Sequence, residues 1–168
     1  MADKYSVRDL VTGLWKEVIA VVVGGIGNAG KIVALGLDGR LAADMMPVGI
    51  VADMKTALAG EALTAGDFCY VNASNEIVRA SGASGGHEAT GFVLASSLSG
   101  ASATIYFEGR NTALTGLVVG TRYFLSDTPG SFTSTPVQGA GKIHQSIGSG
   151  AEATEMATEF GEPIILAS

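Results

Sequence analysis

The sequence predicts an all-β protein: a small β-barrel or sandwich domain preceded by an N-terminal extended arm or hairpin. Three observations lead there. Glycine and alanine each occur 24 times in 168 residues, while only 15% of residues are charged. Glycine is about twice its usual ~7% share without a G-X-Y period, which excludes collagen. Mean hydropathy is +0.37, too apolar for a disordered chain. Short Val/Ile/Leu/Phe/Tyr runs recur at roughly 8–12-residue intervals between glycine-rich turns, the pattern of a sandwich or barrel.

Residues 1–47 form a first section and residues 48–168 the β-domain. Within the first, Val7, Leu10, Val11, Leu14 and Val18 fit the i, i+3, i+4, i+7 helical template. Ser6 and Asp9 add a partial capping box. Gly13 and the β-branched residues of 18–23 oppose a helix and favour a hairpin turning near Thr12-Gly13, so extended structure is preferred. Asp38-Gly39 is a hairpin-turn signal, and Pro47 keeps Met46 extended. In the second section strands are expected at 49–52, 67–72, 76–80, 90–97, 102–108, 121–126, 142–147 and 163–167. Glycine- and serine-rich turns separate them. The Ser/Gly/Ala-rich stretch 148–158 reads as a loop or a poorly formed strand.

Net charge is −6, with +1 over residues 1–40 and −7 over 41–168. No basic stripe exists, so nucleic acid is not an expected partner. Glu152, Glu155, Glu159 and Glu162 have no nearby cation in sequence apart from Lys142, and read as a solvated face or as an acidic surface for a basic partner. The single cysteine, Cys69, makes no internal disulfide and reads as a small buried hydrophobe. The apolar run 18–23 is too short to span a bilayer, and no secretory leader opens the chain. No membrane partner is expected, and synthesis is expected to end in the cytoplasm.

Two motifs invite a chemical reading. Gly25-Ile-Gly27-Asn-Ala-Gly30 fits G-x-G-x-x-G, with Asp44 at the distance of a ribose-binding acid. The presumed helix behind it is broken by Gly36 and Asp38-Gly39, and no βαβ unit follows, so a glycine-rich turn is expected and no cofactor. Gly82-Ala-Ser84-Gly-Gly86, followed at once by His87, fits G-x-S-x-G. It joins two expected strands, where a nucleophile elbow needs a strand-to-helix turn. His87, His144 and Cys69 make no zinc spacing. No catalytic, cofactor or metal residues are expected, and the chain is read as a non-enzyme.

The whole chain resembles small virion structural proteins of tailed bacteriophages. The resemblance runs through Gly30-Lys-Ile-Val-Ala-Leu35, Asp38-Gly-Arg-Leu41 and Met45-Met-Pro-Val-Gly49. It continues in 62–67, Gly91-Phe-Val-Leu-Ala95 and Ala103-Thr-Ile-Tyr-Phe-Glu-Gly109, and is most specific over 111–136, in Leu114-Thr-Gly-Leu117 and Gly120-Thr-Arg-Tyr-Phe-Leu-Ser126. The chain is most like a head decoration (capsid cement) protein. The resemblance implies a β-barrel or β-tulip domain, a homotrimer, the major capsid protein as partner, and a place on the capsid surface after synthesis in a bacterial cytoplasm. A head-fibre or tail-fibre component contacting the host surface is the alternative. In the decoration role, residues 1–47 supply an anchoring arm with Leu10, Leu14, Trp15, Met45 and Met46 as the candidate capsid or subunit contacts, because Trp and Met are over-used at interfaces. Membership of the chain's own core is the competing expectation for them.

Overall fold

A computed structural model describes residues 4–9, 11–21, 33–35, 37, 39, 41, 45 and 53–167. The chain divides into two compact units, Met1–Val51 and Ala52–Ser168. Every regular element among the described residues is a strand, and the fold class is all-β.

In the first unit, β1 (Lys4–Arg8) and β2 (Trp15–Ile19) form an antiparallel hairpin with Tyr5 opposite Val18 and Arg8 opposite Trp15. The helical template over this segment loses to a local turn. Asp9, the residue that suggested a capping box, spends its Oδ1 on the backbone N–H groups of Val11 (2.9 Å) and Thr12 (3.1 Å). Its Oδ2 pairs with Lys16 at 3.2 Å. Gly13 supplies the left-handed φ of +69° that closes the loop. Beyond β2, Val21 and Val33 form an isolated parallel bridge. The G-x-G-x-x-G run at 25–30 and the expected strand at 49–52 lie outside the described residues.

The second unit begins with a closed barrel of five strands in the order β3-β5-β4-β6-β7. These are Met54–Ala59, Glu76–Arg79, Phe68–Val71, Gly91–Val93 and Ser102–Tyr106. Only β3 and β5 run parallel. Cys69, Ile77, Val93, Ala103 and Ile105 fill the barrel together with Ala59 and Leu63. The alternate residues Phe68 and Phe92 are equally buried, but in a different cluster. Strands β4 and β6 therefore bury both faces, which is why Phe68-Cys-Tyr-Val71 reads as an unbroken apolar run.

The outward cluster packs against a five-stranded antiparallel sheet, ordered β10-β9-β12-β13-β8. Its strands are Phe132–Thr133, Arg122–Leu125, Ser146–Glu152, Glu155–Thr158 and Gly109–Asn111. Leu114, Leu117, Tyr123, Leu125, Ile147 and Met156 meet Phe68 and Phe92 there. A short pair, β11 (Ile143–His144) and β14 (Ile164–Ile165), completes the unit.

The stretch 148–158, read as loop or weak strand, instead holds most of β12, whose first part the expected 142–147 strand had touched, and all of β13. Its small residues have a packing reason. A Cβ on Gly148 would stand 2.3 Å from the Ala157 carbonyl oxygen, and one on Gly150 would stand 2.4 Å from that of Val118. Gly148 also carries a φ of +150° at a register shift against β9. The central strand is bulged and closely covered there, so only glycine fits.

Buried polar side chains tie the layers together. Gln145 accepts from the Ala89 N–H at 2.9 Å and donates through Nε2 to the carbonyls of Ala89 (2.8 Å) and Gly161 (3.2 Å). Asn111 donates to the Gly66 carbonyl at 2.9 Å.

Candidate functional site

The hairpin presents large exposed apolar side chains at its turn, although Leu37, outside the hairpin, is the most exposed of the described first unit. Val11 is 95%, Leu14 70% and Trp15 73% exposed. The turn forces this: residues 9–14 are held by hydrogen bonds between the backbones of Asp9, Gly13 and Leu14, which leaves intervening side chains on the outside. The polar groups beside them are already paired, Lys4 with Glu17 at 2.8 Å and Asp9 with Lys16. Backbone and Lys16 hydrogen bonds hold the Asp9 carboxyl down at about 2. Across the ribbon, Tyr5, Val7 and Val18 share one face by register and period. A two-stranded ribbon with an apolar face is marginal alone in water.

Of the five expected contact residues, Leu14 and Trp15 stand next to each other at this turn. Met45 is half-buried, while Leu10 and Met46 lie outside the described residues. Val11, which is more exposed than either Leu14 or Trp15, is not among the expected contacts.

The G-x-S-x-G loop does bring a serine and a histidine together. Ser84 Oγ lies 3.1 Å from His87 Nδ1. The His87 ring packs on Tyr70 with centroids 5.7 Å apart. Among the described residues no carboxylate hydrogen-bonds His87 to orient it as a base. Glu88, the nearest acid in sequence, accepts instead from the Gly86 N–H at 2.9 Å. The loop joins β5 to β6, with no helix to form an elbow. This arrangement shapes a loop; it does not assemble a nucleophile, a base and an orienting acid. His144 is used in packing, with its ring 5.1 Å from that of Phe124.

Beside this loop lies an open cleft of about 420 Å³ lined by Glu61, Tyr70, Arg79, Ser84, His87 and Pro129. Glu61 takes the Arg79 backbone N–H at 2.9 Å and its Nη2 at 2.7 Å. The guanidinium holds the Glu61 carboxyl below its ordinary range. Burial pushes the Tyr70 hydroxyl up, and the Glu61 and Glu88 carboxylates add to it. Asp67, behind Arg79, is also pushed up by burial.

The acidic C-terminal segment is better paired than its sequence neighbourhood suggests: Glu155 on β13 bonds Arg110 on the adjacent β8. Lys142, the cation closest in sequence, pairs with Asp127. Among the described residues no three His, Cys, Asp or Glu side chains group to hold a metal ion. No described helix is long and apolar enough to cross a membrane. No protein-family model matches the chain, and no curated protein matches it significantly.

Proposed function

We propose that this chain is a non-enzymatic virion protein that binds the outside of a tailed-phage capsid and reinforces its subunit lattice. One observation carries the reading furthest: the N-terminal hairpin displays Val11, Leu14 and Trp15 to solvent around its turn. The resemblance makes that partner the major capsid protein.

The energetics favour binding in several copies. Burying Val11 and Leu14 fully is worth roughly 1.5–3 kcal/mol each, and Trp15 adds a comparable or larger amount. That sum, of order 5–8 kcal/mol, is consumed by the roughly 4–15 kcal/mol that association costs in lost freedom. One arm therefore holds weakly. Arms joined in a homotrimer convert the second and third contacts into intramolecular ones and bind firmly. Each bound copy then stabilises the assembled lattice over the dissociated one by mass action.

Co-sedimentation with capsids stripped of accessory proteins tests this. The intact chain is expected to pellet with capsids, and a chain lacking residues 1–20 to remain in the supernatant. Trp15→Ser is expected to weaken binding without altering the far-UV spectrum. Undiminished binding by the truncated chain overturns the arm, and failure of the intact chain to bind overturns the function.

A further inference from the structure

We propose that the cleft between the 81–89 loop and the β4–β5 strands binds a neutral saccharide, seated against the Tyr70 and His87 rings and hydrogen-bonded by Arg79. The inference rests on the Ala52–Ser168 unit alone and stands independently of how the hairpin is used.

The cleft has the size of a small-molecule site, at about 420 Å³ against the ~300–1,000 Å³ such sites occupy. Its groups decide the ligand's charge. Glu61 and Arg79 bind each other through two hydrogen bonds, so neither offers an unpaired charge. A carboxylate or phosphate would meet the Glu61 carboxylate, with Glu88 also on this side of the loop. An ammonium or guanidinium ligand would meet Arg79 with both Glu61 oxygens already engaged. A neutral ligand escapes both penalties.

The remaining groups ask for hydroxyls on one side and C–H surface on the other. Ser84 is occupied with His87 Nδ1, which leaves His87 Nε2 as that ring's remaining polar atom. The Tyr70 hydroxyl and Arg79 Nη1 make no hydrogen bond among the described residues, whereas Arg79 Nε is buried out of a ligand's reach. The Arg79 guanidinium is thus only partly satisfied by Glu61, and its Nη1 is left to donate to a ligand's hydroxyl oxygen. Two aromatic rings 5.7 Å apart and Pro129 supply apolar surface for the C–H face of a pyranose. A sugar ring is the common neutral ligand that combines both.

Saturation-transfer NMR on the intact chain, with the methyl glycosides of glucose, galactose, mannose and N-acetylglucosamine as probes, tests the assignment. At least one is expected to bind saturably with a dissociation constant of order millimolar. His87→Ala, an exposed-loop change, is expected to weaken it by about tenfold or more, and Arg79→Lys to weaken it while keeping the charge. Tyr70→Phe separates the hydroxyl from the ring: partial loss is expected. Absence of saturable transfer to all four glycosides overturns the proposal. So does binding that His87→Ala leaves unchanged, or binding that phosphate or methylammonium displaces at equal concentration.

Discussion

Gln145→Leu removes a side chain that stitches the 81–89 loop, and with it Ser84 and His87, to the second sheet. Gln145 is 3% exposed, and Ala89, its main partner, is 1% exposed. Leucine fills a similar volume but returns none of the three hydrogen bonds. The Ala89 N–H and C=O are then left buried without partners among the described residues, whereas the half-buried Gly161 carbonyl can turn to water. Each orphaned buried group costs about 1–3 kcal/mol, so the expected loss is roughly 2–6 kcal/mol. That is a large share of the ~5–15 kcal/mol a domain commonly has. Urea unfolding followed by far-UV circular dichroism reads it directly. With m near 1–3 kcal/mol/M, the midpoint is expected to fall by about 1–3 M. A loss below about 0.5 kcal/mol, the scale of an ordinary surface change, refutes the reasoning.

Other consequences follow from single contacts. Carboxyl titration by NMR is expected to place Asp9 at about 2. Because that value lies below the unfolded 3.8, the contribution of Asp9 to the hairpin is present above the ordinary aspartate range and is lost as pH falls through the lowered value; an ordinary value would show an open turn. Glu61→Gln is expected to cost about 1 kcal/mol near neutral pH, the pair being partly exposed, and to cost less in acid. The sign is that of a depressed carboxyl, whose contribution disappears below its folded value; an equal cost at pH 7 and below the ordinary glutamate range would contradict it. Cys69 is fully buried and burial pushes its thiol up, so iodoacetamide is expected to modify it only when the chain unfolds. Rapid labelling of the native protein would show that the barrel opens. Met156→Ala is expected to lose about 2–5 kcal/mol in the same urea assay, with an unchanged midpoint as the contrary result.

Much of the fold was legible because its strands bury residues in the usual periods. Ser102–Tyr106 alternates, with Ala103 and Ile105 inside the barrel, and 67–72 declares a strand buried on both faces. Met54–Ala59 escaped notice for a physical reason: its inward positions Ala57 and Ala59 are small, while Met54 and Leu58 point outward. A narrow barrel interior inverts the usual hydropathy contrast. β13 and most of β12 were hidden by the close approach that excludes side chains at Gly148 and Gly150. The hairpin was legible as one of two alternatives, decided by Asp9, whose short side chain serves a turn better than a helix interior. The cleft was not legible. Glu61, Tyr70, Arg79 and His87 come from separate stretches with no shared spacing, and only Ser84 and His87 left a motif, one whose usual chemistry the surrounding strands do not support.

The measurement that bears most directly on the central proposal is an electron cryo-microscopy reconstruction of stripped capsids saturated with this protein. The account predicts density for the β-domain at repeated sites over the whole shell, with the hairpin of residues 4–19 seated on the capsid protein through Val11, Leu14 and Trp15. Density confined to vertices or tail, or a bound domain whose hairpin faces solvent, would contradict it.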